Sequence, residues 1–146
     1  MPSPELERLA DLHHLKREPP GRAEMEGLIH SATTRLADAQ KEDLSAESRF
    51  DLAYNAAHAL ALVALRSKGY RAEKRYFVFQ TLPHTLGTPV PIWRLLAKCH
   101  EQRNRTEYEG WGLVDSALLE GLIEAVAGLL EVVRVLPLPP EPESSD

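Results

Sequence analysis

The sequence predicts an all-α protein, an up-and-down bundle of about five helices, and two patterns carry that prediction. Apolar residues return at three- and four-residue steps through the long segments, as a single buried helix stripe requires. Capping residues, prolines and glycines divide those segments where helices need to end.

The first helix starts at Ser3-Pro4-Glu5, where serine can cap free amides, proline suits the first helical position and acids favour the first turn. It runs from about Pro4 to Leu15 and breaks at Glu18-Pro19-Pro20-Gly21. Met25, Leu28, Ile29, Ala32, Leu36 and Ala39 form one stripe of a second helix. Ser45 caps a third, which ends near Lys68 and carries a broad apolar face rich in small residues from Phe50 to Ala64. This is the expected central, closely packed helix. Gly69 suits its left-handed terminator.

Tyr70 to Pro91 has no helical period and contains three prolines and Gly87, so it reads as a long ordered connection. Within it, Tyr76 to Phe79 reads as an extended or helical segment packed on the bundle, in preference to a strand without a partner. A fourth helix is expected from about Pro91 to Tyr108, stopped by Gly110 and Gly112. The fifth runs from the capping Asp115 to Leu136. Residues 1–136 thus form one helical domain, and 137–146 an acidic, proline-rich tail expected to be disordered.

Composition narrows the function classes. The formal net charge is -5, but Glu141, Glu143 and Asp146 supply three of those charges, leaving about -2 on the remainder. Overall acidity therefore does not exclude a nucleic-acid ligand. A single cysteine, Cys99, rules out an internal disulfide framework and suits a reducing compartment, so a cytoplasmic location is expected. No stretch reads as a bilayer span or as a signal peptide. The chain has no phosphate-binding glycine loop and no Gly-x-Ser-x-Gly element, so no cofactor is expected.

On the fourth helix, at about 100° per residue, Ile92, Leu95, Leu96 and Cys99 fall on one line that continues to Arg103. A guanidinium stands where the core seam predicts an apolar side chain. Because an unpartnered buried cation is very costly, either the seam opens into a wet cleft or Glu107 and other groups satisfy the charge. His100 and Glu107 lie on one shoulder of the stripe, Asn104 is next around, and Tyr108 is toward the flank.

The run from Cys99 to Gly110, Cys-His-Glu-Gln-Arg-Asn-Arg-Thr-Glu-Tyr-Glu-Gly, follows a small-residue helix with Tyr54-Asn55-Ala56-Ala57-His58-Ala59-Leu60. Together they resemble the HEPN superfamily over about residues Arg22 to Leu136. The resemblance implies a helical bundle, frequently a homodimer, with a metal-independent endoribonuclease site built from an arginine, its polar neighbour and a histidine several residues later. It also implies a toxin-antitoxin or defence role, or a non-catalytic role as partner of a minimal nucleotidyltransferase. Carried over by position, Arg103 matches the arginine and Asn104 its neighbour, while Tyr108 stands where the histidine belongs. That departure matters, since an unperturbed tyrosine titrates near about 10 and is a poor general base. His100, one turn before Asn104, is a spatial alternative.

Arg66, Lys68, Arg71, Lys74 and Arg75 form the densest basic stretch, interleaved with Tyr70, Tyr76 and Phe77. It reads either as a track for an RNA or nucleotide phosphate with aromatic stacking, or as a solvated helix end whose aromatics anchor to the core. His13 and His14 make a poor metal pair because adjacent residues point to different sides of a helix, and His58 is expected to be packed or interfacial. No metal site is expected, and Cys99 should be an inert core thiol.

Overall fold

The computed structural model describes residues 3–109 and 115–140, with side chains described as far as residue 105 in the first span. The chain is all-α, as its periodicity predicts, with seven helices among the described residues. They are α1 (Pro4–Asp11), α2 (Arg22–Ala39), α3 (Ala46–Ser67), α4 (Arg75–Gln80), α5 (Leu82–Thr85), α6 (Val90–Glu109) and α7 (Ser116–Arg134). Strands β1 (Lys16–Arg17) and β2 (Tyr70–Arg71) pair antiparallel, Lys16 opposite Arg71.

Helix α3 is the axis of the bundle and packs against α2 and α7, with α4, α5 and α6 on its remaining side. Its alanines explain this position. Ala53, Ala56, Ala57, Ala61 and Ala64 are fully buried, and their small side chains let neighbouring backbones come close. Leu60 of α3, Leu96 of α6 and Leu122 of α7 fill the space between, each worth roughly 1.5–3 kcal/mol by burial.

The predicted caps are in place. Ser45 Oγ accepts from the Ser48 amide at 3.2 Å, and Asp115 accepts from the Ala117 amide at 2.9 Å. Gly69 takes a left-handed φ of 89° at the end of α3, where its amide donates to the Arg66 carbonyl at 2.9 Å. Helix α1 ends at Asp11, short of Leu15, because His13 turns left-handed at φ 65°. The chain then enters β1.

The long connection proves partly helical. Its α4 and α5 are six and four residues long, too short to show a period of 3.6. Val78, Phe79 and Leu82 pin them to the core. Pro137–Pro140 have no regular structure, and the rest of the tail lies outside the described residues. No helix among the described residues is long and apolar enough to cross a membrane.

Arg66 overturns one expectation. It is 1% exposed, so it forms no part of an outward basic surface. Its guanidinium donates to Glu24 Oε1 at 2.7 Å, the Glu18 carbonyl at 2.9 Å and the Pro19 carbonyl at 2.8 Å. A planar fork with several donors can satisfy three acceptors at once, which ties the proline turn before α2 to the end of α3.

Candidate functional site

The α3 sequence places Asp51, Tyr54, Asn55 and His58 at three- and four-residue steps, a polar strip on a helix otherwise lined with alanine and leucine. Side chains of two other helices meet that strip: Arg75 and Phe79 from α4, and His100 and Arg103 from α6, with Tyr76 and Asn104 reaching the cluster through His100. Tyr54 is their centre. Its ring is buried, and Phe79 packs on it edge-on with centroids 5.7 Å apart.

The Arg103 guanidinium lies over the Tyr54 ring, 4.9 Å from its centroid, and Arg103 Nε is 3.5 Å from Asp51 Oδ1. The Arg103 side chain keeps 25% of its surface open to solvent. Asp51 is thus one partner of this partly exposed cation, while Glu107, the partner expected from the sequence, lies outside the described side chains. A second guanidinium, Arg75, sits 5.5 Å from the same ring centroid and donates to Asn55 Oδ1 at 3.0 Å. Cation–π attraction and these polar partners let two like charges share one aromatic.

His100 is held at both ring nitrogens. Tyr54 Oη lies 2.8 Å from Nδ1, and Asn104 Nδ2 lies 3.2 Å from Nε2. If the Asn104 amide donates, Nε2 is the unprotonated nitrogen and Nδ1–H donates to the tyrosine oxygen. Rotating the Asn104 amide reverses the roles. The Asn104 bond is exposed and long, so an incoming group can replace it more easily than the Tyr54 bond.

His58, one turn beyond Tyr54, meets the edge of Phe79 at 6.0 Å. Burial, then the charges of Arg75, Arg103 and His100, push its pKa down to about 4. It is a neutral imidazole at physiological pH. Cys99, buried on the opposite side of α6 from solvent, has its thiol pushed up to about 12 by burial and is inert.

Tyr76, Arg94, Lys98, His100, Glu101 and Asn104 line a shallow open depression of about 610 Å³ beside this cluster. Among the expected site residues, Arg103, Asn104 and His100 are brought together, and Arg75 joins them. Glu107 and Tyr108 lie outside the described side chains. Lys68 and Lys74 are exposed at the ends of α3 and α4, whereas Arg71 is engaged by Glu18 and by Glu24 at 3.0 Å. The basic stretch is therefore divided: Arg66 is buried within the fold, Arg71 is paired with acids at its surface, Arg75 faces the site, and Lys68 and Lys74 face solvent.

Sequence reasoning missed Asp51 and Asn55, and it did not place Tyr54 or His58 beside Arg103. Their spacing along α3 was the available signal. Among the described residues, no group of three or more histidine, cysteine, aspartate or glutamate side chains is arranged to hold a metal ion. No family model, no curated protein and no solved structure matches the chain.

Proposed function

We propose that this chain is a HEPN-like, RNA-directed module that acts as a metal-independent endoribonuclease of the toxin-antitoxin or defence type. The observation that supports it most is the Arg103 guanidinium, fixed over Tyr54 yet open to solvent, beside a histidine whose two nitrogens are both oriented. Two arginines around one ring provide the charge that a phosphodiester seeks, and a prearranged cation costs little reorganisation when negative charge develops.

In the proposed reaction, His100 Nε2 takes the proton of a ribose 2'-hydroxyl after displacing the Asn104 bond. The 2'-oxygen forms a bond to phosphorus as the bond from phosphorus to the 5'-oxygen breaks, giving a 2',3'-cyclic phosphate. Arg103 stabilises the charge on the non-bridging oxygens, and Asn104 orients the backbone. Tyr108 is assigned the remaining proton transfer, to the departing 5'-oxygen, because a tyrosine that serves poorly as a base can still act as an acid. Tyr54 positions His100 without touching RNA.

The test is incubation of purified protein with cellular RNA in the presence of a chelator. Cleavage leaving cyclic phosphate ends, and reduced at least about 100-fold in Arg103→Ala, is the expected result. Intact RNA under all conditions removes the enzyme.

A second reading is a non-catalytic homodimer that pairs with a nucleotidyltransferase-type protein. One observation favours it: an open apolar groove of about 720 Å³ between α6 and α7, lined by Ile92, Leu95, Ala125, Leu129 and Val132. Light scattering together with copurification from the native host separates the readings.

A further inference from the structure

A second cleft, of about 600 Å³, opens where the end of α1 and the β ribbon face the start of α4. His14 and Phe77 stand in it as a stacked pair, with ring centroids 4.3 Å apart and planes 19° from parallel. Phe77 covers one face of the His14 ring, and His14 is itself exposed. The left-handed turn at His13 aims the chain so that this stack forms beside β1.

The cleft is basic as well as aromatic. Lys16 and Lys74 line it, both exposed and neither within ion-pair distance of a carboxylate among the described residues. Arg17 and Arg71 also line it, but Glu7 and Asp11 match the first, and Glu18 and Glu24 the second. The two lysines are thus the cations left for an incoming anion. Glu73, the other acid of the lining, can accept from an exocyclic amine of a base.

Helix α4 connects this cleft to the Arg103 site. Phe77 meets Tyr76 edge-on at 5.3 Å, and Tyr76 approaches His100 at 6.4 Å, so a chain of four rings runs from His14 to His100. Lys74 and Arg75 run beside it. A line of rings flanked by cations is what a single nucleic-acid strand requires, because bases stack on the rings while phosphates follow the charges.

We infer that the cleft at His14 and Phe77 is a second nucleotide-binding site, taking a base and its phosphate from the same single strand of RNA that enters the Arg103 site. This inference rests on the RNA-directed reading of that first site. The His14 ring supplies the stacking surface, and Lys16 and Lys74 hold the phosphate.

The experiment is equilibrium binding of a fluorescent, mixed-sequence, 2'-fluoro oligonucleotide of about ten nucleotides, which binds without being cut. His14→Ala is expected to weaken binding about tenfold, the size of one lost base stack. Lys16→Glu combined with Lys74→Glu is expected to weaken it at least as much and to flatten its salt dependence. These three positions are exposed, so the fold should tolerate the changes, and circular dichroism verifies that. In parallel, 5-iodouridine in the same oligonucleotide should cross-link to His14 or Phe77.

Wild-type affinity in both variants, with binding still weakened by Arg103→Ala, overturns the second site and leaves the first intact. A wild-type protein that binds no oligonucleotide overturns both.

Discussion

The guanidinium of Arg103 rests 4.9 Å from the centre of the Tyr54 ring while its Nε faces Asp51 at 3.5 Å. One cation is thus shared between a buried aromatic and a half-exposed carboxylate. Asp51→Asn removes a negative charge that competes with phosphate for Arg103. It is expected to tighten RNA binding about three- to tenfold at low salt and to change stability by less than about 1 kcal/mol, since exposed pairs contribute little. Fluorescence anisotropy and urea unfolding measure the two effects.

Tyr54→Phe keeps the ring beneath Arg103 and deletes the oxygen that meets His100 Nδ1. Stability should fall by about 1 kcal/mol, the net worth of one hydrogen bond. Cleavage should fall further, about tenfold, because the imidazole then loses the buried partner that holds its ring in place. Nitrogen NMR of His100 should show the loss of the hydrogen bond at Nδ1 in the variant. A purely structural tyrosine would leave the turnover of the folded fraction unchanged.

Arg66 offers a test of buried charge. Arg66→Ala leaves the Glu18 and Pro19 carbonyls and Glu24 without their shared donor, and it is expected to lower stability by about 3–5 kcal/mol. Arg71→Ala, on a half-exposed partner of the same acids, should cost about 1 kcal/mol or less. Urea midpoints at constant slope distinguish the two.

The His58 imidazole titrates near 4 in the folded protein, below its ordinary 6.5. Its unfolded form binds the proton more tightly, so this contribution to stability is complete above about pH 6.5 and is lost as pH falls toward 4. The expected loss is on the order of 3 kcal/mol at its full extent. Replacing the ring by asparagine should flatten this part of the profile of unfolding free energy against pH.

Gly69 adopts φ 89° at the end of α3, where any other residue meets a steric penalty. Gly69→Ala should destabilise the protein by about 1 kcal/mol even though open space surrounds the position. Thermal melts of the two proteins provide the comparison.

Periodicity made the long helices legible, since Met25 to Ala39 and Leu118 to Val133 repeat an apolar stripe over four or more turns. Tyr76 to Phe79 reads as either extended or helical, of which α4 is the second, and α5 does not show at all, because burial of Val78, Phe79 and Leu82 against the bundle specifies both helices and such tertiary contacts leave no period in so short a run. Arg103 was visible as a charge on an apolar line. Its relation to Tyr54 was not, because nothing in either helix alone states which faces meet. Arg66 misled for a related reason: next to Lys68 in sequence it reads as solvent-facing, yet it falls three residues after the buried Val63, and its acidic partners come from a distant turn.

Cys99 gives the molecule an internal reporter. Because its thiol is sealed between helices and holds its proton to about pH 12, reagents that modify sulfur meet it only when that part of the bundle opens. The chain has no other cysteine. The pace of alkylation at that one atom therefore counts excursions of α6 away from its neighbours, and an RNA that bridges α4 and α6 should slow it.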